Sequence, residues 1–100
     1  MTTLSLSDIL DDLRAAEEGL HKYEQRYWIS SAQFYDLYSQ GLLDGGENAE
    51  DFSEWAGHYR LREKRQAALE QLSQQRMKTI KKTGSKTIHL HPAEPTLRLG

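Results

Sequence analysis

The stretch SDILDDLRAAEEGLHKYEQRYW, residues 7–28, decides the fold class. Within it Ile9, Leu13, Ala16, Leu20, Tyr23 and Tyr27 recur at intervals of four, three, four, three and four residues. That is the period of a helix carrying one apolar stripe over about three heptads. Ser5 or Ser7 stands where an N-cap belongs, and Asp8, Asp11 and Asp12 put negative charge where the helix dipole favours it. The stripe is read as a seam buried against other helices of the same chain. Pairing with a helix of a second chain, which would make a homodimer or larger oligomer, is the competing reading.

Downstream, Ile29 is followed by Ser30, Ser31, Ala32 and Gln33. This is a capping-box pattern: Ser30 accepts from the Gln33 amide while the Gln33 side chain reaches back. A second helix therefore spans about residues 31–40. Phe34, Leu37 and Tyr38 share one face, Tyr35 sits beside them, and Gly41 is placed for a left-handed stop. So short a helix must dock to persist. Asp44, Gly45, Gly46, Glu47 and Asn48 form a loop by composition, with Asn48 the cap candidate for a third helix. Residues 49–82 contain no proline and are dominated by strong helix formers, which permits a helix of about 50 Å. Its first half is densely apolar, with Phe52, Trp55, Ala56 and Tyr59. Beyond Arg60 only Leu61, Ala68, Leu69, Leu72, Met77 and Ile80 remain, enough for a narrow seam.

After Thr83 and Gly84 the pattern changes. Residues 86–91 alternate with period two before Pro92 and Pro95, as in a short edge strand or a segment that pairs only when bound. Residues 83–100 read as an extended basic tail, flexible or ordered by a partner. The expected architecture is thus all-α: a small three-helix domain over residues 1–82, with helices at about 7–28, 31–40 and 49–82, followed by that tail.

Composition sets outer limits. One hundred residues hold one small domain and a tail. With 37% hydrophobic and 28% charged residues the core is thin, and the lack of valine disfavours a sheet protein. The absence of cysteine excludes disulfides, thiolate metal sites and cysteine nucleophiles. The N-terminal residues lack the basic and apolar regions of a signal peptide, and no apolar run reaches membrane-spanning length. The expectation is a cytoplasmic protein without membrane contact. The net charge of -2 hides an asymmetry. Through residue 60 twelve acids face four bases, whereas afterwards nine bases face three acids. The two ends are built to meet different partners, or each other.

Signals of catalysis are weak. His89 and His91 lie two apart, but only Glu94 follows as a third ligand, so no metal is expected. His58, beside Trp55 and Tyr59, reads as a packed or surface histidine. Asp36, Asp51 and Glu54 could form a carboxylate cluster, but three short elements offer little pocket for acid–base work. Phosphate loops, nucleophile elbows and zinc motifs do not occur. Neither an enzyme nor a cofactor is expected. The strongest signal is aromatic: eight of nine aromatic residues fall between Tyr27 and Tyr59. Most must form the core, while some reach the surface as protein-binding anchors.

The runs SSAQFYDLYSQG, residues 30–41, and DFSEWAGHY, residues 51–59, resemble a family of small helical prokaryotic proteins. These are encoded beside small toxin genes and regarded as antitoxins. The likeness covers about residues 7–72, and the basic tail with Ile88, Leu90, Leu97 and Leu99 departs from it. The resemblance implies that Tyr35, Tyr38, Trp55 and Tyr59 serve as framework or partner-facing aromatics, that Asp51 and Glu54 open the third helix, and that none is catalytic.

The leading expectation is a protein-binding module, the antitoxin of a toxin–antitoxin pair. Tyr35, Tyr38, Trp55 and Tyr59, together with Ile88 and Leu90 of the tail, would contact a cognate toxin or other protein. A nucleic-acid-binding or regulatory protein is the alternative, with Arg76, Lys78, Lys81, Lys82 and Lys86 neutralising phosphates. A structural oligomer joined through the first helix is the third reading.

Overall fold

In the computed structural model, which describes residues 2–81, 87, 88, 90, 92 and 96–99, Ser5 closes an extended lead-in and caps the first helix. Its hydroxyl accepts from the Asp8 amide at 3.1 Å and the Asp8 carboxylate accepts from the Ser5 amide at 3.4 Å, a complete capping box. Helix α1 runs Leu6–Tyr27, α2 Ser31–Ser39 and α3 Ala49–Lys81. The fold is a small three-helix one with a long third helix, as the residue pattern implies.

Helix α2 is bounded by local signals. The α2 helix ends in a Schellman motif: Gly41 at φ 71° donates to the Tyr38 carbonyl at 3.0 Å, and Leu42 donates to the Leu37 carbonyl at 3.1 Å. Asp44 then accepts from the Gly46 amide to shape the loop, and the Asn48 carbonyl takes the Phe52 amide to begin α3. At the start of α2 the Ser30 hydroxyl accepts from the Gln33 amide at 3.1 Å. Among the described residues the reciprocal Gln33 contact does not form.

Helices α1 and α3 are antiparallel, because Ile9 and Leu13 meet Ala68 and Leu72 while Leu20 and Tyr23 meet Trp55 and Ala56. The α1 stripe is thereby covered within the chain: Ile9, Leu13, Ala16, Leu20 and Tyr23 are buried, and Tyr27 half-buried. The core falls into two parts. One is aliphatic, built on Ile9, Leu13, Ala68 and Leu72 with Leu4, Leu6 and Leu69 against it. The other is aromatic, centred on Tyr23, Phe34 and Trp55, and only there does α2 pack. Between them the half-buried Arg62 and Arg65 take the α3 positions that continue the seam, and Arg65 Nε donates to Asp12 Oδ2 at 2.7 Å. The molecule measures 58 × 30 × 22 Å, with a radius of gyration of 17.9 Å against the roughly 13 Å usual at this length.

Strand β1, Thr2–Ser5, pairs antiparallel with β2, Thr96–Leu99, in the register Thr2↔Leu99 to Ser5↔Thr96. Strand β2 lies within residues 83–100, read from the sequence as a flexible or partner-ordered tail, and outside residues 86–91, read as a possible edge strand. Of the latter, the described Thr87, Ile88 and Leu90 lie outside any strand. A strand needs a partner's amides and carbonyls, and it is residues 2–5 that supply them.

At Gly19, α1 lies directly against a side chain of α3. A Cβ built there would lie 2.5 Å from the His58 Cδ2, so the imidazole occupies the space a side chain would need. His58 is thus a packed histidine, also tilted against the Tyr23 ring. Glycine inside a helix ordinarily costs about 1 kcal/mol relative to alanine. Here Gly19→Ala lowers stability by about 1–2 kcal/mol through overpacking. In a His58→Ala background the same change is neutral or stabilising, and denaturant unfolding of the double-mutant cycle measures the sign reversal.

Candidate functional site

The aromatic end is organised by a serine. Ser31 is buried in the first turn of α2, where its amide has no intrahelical partner. That amide donates to Glu24 Oε2 at 3.0 Å and its hydroxyl donates to the same oxygen at 2.8 Å. The hydroxyl in turn accepts from the Trp55 indole N–H at 2.9 Å. One side chain therefore joins all three helices. Above it Phe34 lies flat on Trp55, with ring centroids 3.8 Å apart and planes 2° from parallel. Tyr23 and Tyr27 of α1 stack on Trp55 from the other direction at 5.7 and 5.6 Å.

The two tyrosine hydroxyls are satisfied by the opening acids of α3. Tyr23 donates to Glu54, and Tyr27 donates to Asp51 at 2.6 Å while Arg26 approaches the same oxygen at 3.4 Å. The hydrogen bond to Glu54, reinforced by burial, pushes the Tyr23 hydroxyl up to about 12 from 10.0. Asp51 and burial likewise raise Tyr27. Asp51 and Glu54 thus serve as acceptors across a helix interface, while Asp36 stands apart on α2, and the three carboxylates do not converge.

The residues expected to meet a partner separate into distinct places. Trp55 is 0% exposed and belongs to the framework, because its indole must reach Ser31 and its faces are covered by Phe34 and the tyrosines. Tyr35, Tyr38 and Tyr59 are half-buried and do come together: Tyr35 stacks on Tyr59 at 4.6 Å and lies 6.4 Å from Tyr38. Arg60 donates to the Tyr35 hydroxyl at 3.1 Å, and Arg62 lies 5.1 Å from the Tyr59 ring centroid. Ile88 and Leu90 are exposed. In the basic set Lys78 and Lys81 are exposed at the far end of α3, Arg76 is half-buried and engaged, and Lys82 and Lys86 lie outside the described residues. His89, His91 and Glu94 lie outside them too, and among the described residues no three metal-ligating side chains gather. No helix there is long and apolar enough to cross a membrane.

One residue was missed. Trp28 is 89% exposed and sits at φ 63°, the left-handed position that ends α1, donating to the Glu24 carbonyl at 2.9 Å. Glycine is the usual occupant of such a site, and another residue there costs about 1 kcal/mol. The next residue in the chain, Ile29, lines an open pocket of about 490 Å³ together with Ala32, Gln33, Asp36 and Leu37. At the other end of α2 stands Leu42, 64% exposed. A signal existed in the sequence: Trp28 falls one residue past the stripe that ends at Tyr27, so it cannot share the buried seam.

No family model, curated protein or solved structure matches this chain.

Two outcomes follow from the buried polar links. Ser31→Ala leaves the Trp55 indole N–H without its acceptor and lowers stability by about 2 kcal/mol, read as a shift in urea midpoint at unchanged slope. Because the Tyr23 hydroxyl ionises later in the folded than in the unfolded chain, its contribution is intact below pH 10 and drains away as pH rises toward about 12. Tyr23→Phe is therefore less steeply destabilised than the wild type over that alkaline window, as thermal melts across it will show.

Proposed function

We propose that this chain is a protein-binding module, and specifically the cytoplasmic antitoxin of a toxin–antitoxin pair that acts by direct contact with its cognate toxin. Trp28 carries the protein-binding part of the reading. The residue exposes a large apolar ring and holds a backbone conformation that disfavours it, two costs with no return inside the monomer. Tryptophan at a surface is also the side chain that most often anchors a protein interface. The half-buried edge of Tyr35, Tyr38 and Tyr59 adds aromatic surface, and Ile88 and Leu90 are exposed between α3 and β2 as a separate apolar surface. The antitoxin part rests on the resemblance of residues 30–41 and 51–59 to that family. A recognition surface carried on a packed three-helix core suits a protein that must hold a toxin.

The test is coexpression with the protein encoded by the adjacent gene. The two co-elute in size exclusion, and the chain relieves any growth arrest the neighbour causes. Trp28→Gly stabilises the isolated chain by about 1 kcal/mol yet abolishes co-elution. A lone peak for the wild type, with no relief of growth, rejects the paired-gene reading.

A further inference from the structure

The groove along α2 has a chemistry that selects what can fill it. Ile29, Ala32 and Leu37 make the apolar part of its lining, and Gln33 and Asp36 the polar part. Trp28 precedes the lining residue Ile29 in the chain, and Leu42 follows α2, its amide bonded to the carbonyl of the lining residue Leu37. Helix α2 itself is nine residues, about 13 Å long, which two to three turns of a docked helix match. The sequence around it is acidic: residues 24–54 hold seven acids and one cation, Arg26. Glu24, Asp51 and Glu54 are bonded to Ser31, Tyr27 and Tyr23, while Asp36, Asp44, Glu47 and Glu50 are exposed. Arg26 is itself engaged by Asp51. Among the described residues no cation forms an ion pair with Asp36.

The chain offsets this charge only in part: Arg60 reaches α2 through the Tyr35 hydroxyl, and Lys22 and Arg62 lie over the Tyr23 and Tyr59 rings. Lys78 and Lys81 lie on α3 about 40 Å from Phe52, several screening lengths away at physiological salt. Strand β2 is held against residues 2–5, where α1 begins, and so at the opposite end of the molecule. The same acidity opposes a nucleic acid backbone. It also opposes a second copy seated groove to groove, which would bring the two acidic ends together.

We infer that the groove along α2 docks a basic amphipathic helix of a partner protein, large apolar side chains entering beside Trp28 and Leu37 and lysines or arginines facing Asp36 and the acidic loop. This deepens the protein-binding reading above and rests on it for the partner's nature. The mode is a helix in a groove, with contact area from the apolar side chains and orientation from the charges.

A synthetic peptide of about 18 residues, patterned as an amphipathic Leu/Lys helix, serves as probe, with a Leu/Glu peptide of the same pattern as control. Trp28 is the exposed indole and Trp55 the buried one, so docking blue-shifts the fluorescence of the full-length chain. The expected result is saturable binding of the Leu/Lys peptide, weakened roughly tenfold by Leu42→Ser or Asp36→Lys and weakened by added salt. The Leu/Glu peptide does not bind. Trp28→Gly loses both signal and affinity, the latter measured by calorimetry. Equal affinity of the wild type and all three variants overturns the assignment, as does equal binding of the two peptides. A dimer in sedimentation that Trp28→Gly dissociates also overturns it, by giving the groove to a second copy. If the neighbour-encoded protein never co-elutes while the Leu/Lys peptide docks in this manner, the groove assignment stands and the paired-gene reading falls. If the neighbour co-elutes with wild type and variants alike, the reverse holds.

Discussion

A single buried hydroxyl governs how this molecule is put together. Ser31 Oγ takes the Trp55 indole proton and gives its own to Glu24, while the Ser31 amide reaches the same carboxylate. An indole N–H in a dry interior must find an acceptor, and the first turn of a helix must find acceptors for its amides. Ser31 answers the indole, and Glu24 answers Ser31. The orientation of α2 follows, because only with Ser31 over Trp55 does Phe34 lie flat on the indole. Detached, α2 is nine residues that would not hold as a helix in water.

With α2 confined to one end, the two halves of the α1–α3 pair rest on different physics. The aromatic half is a three-helix core in which stacking and tyrosine–carboxylate bonds set geometry. The distal half is a two-helix seam, where Ala68 and Leu72 are the buried α3 residues and Arg62 and Arg65 bridge the gap with their stems and charges. Order is therefore concentrated around Trp55, and a rigid platform is what a recognition surface on α2 requires. The left-handed Trp28 belongs to that platform. The connection from α1 to α2 is only three residues long, and it turns on this residue. The strain and the exposure of the ring are thus fixed together.

Much of this was legible in the linear chain. The spacing of Ile9, Leu13, Ala16, Leu20 and Tyr23 announced α1, and all five are buried. Ser5, Ser30 and Gly41 announced helix ends, since caps and left-handed stops depend on backbone amides and carbonyls within a few residues. Other features were not legible. Gln33 reads as half of a capping box but lines the groove. Trp55 reads as an anchor for a partner but is enclosed, since periodicity tells which residues share a face and not how many helices cover it. The strand at residues 96–99 was not legible either, because its pairing depends on where residues 2–5 lie in space.

By itself the amino-acid order determined three helices, their boundaries to within a residue or so, the buried stripe of α1 and the opposition of an acidic and a basic half. These are consequences of short-range geometry, period and capping, which a chain carries before it folds. The tertiary structure alone decided that Asp51 and Glu54 would serve tyrosine hydroxyls, that Ser31 would join three helices, and that Trp28, not Trp55, would face solvent. Each of these depends on distances between residues some 24 to 31 positions apart, which no local rule sets.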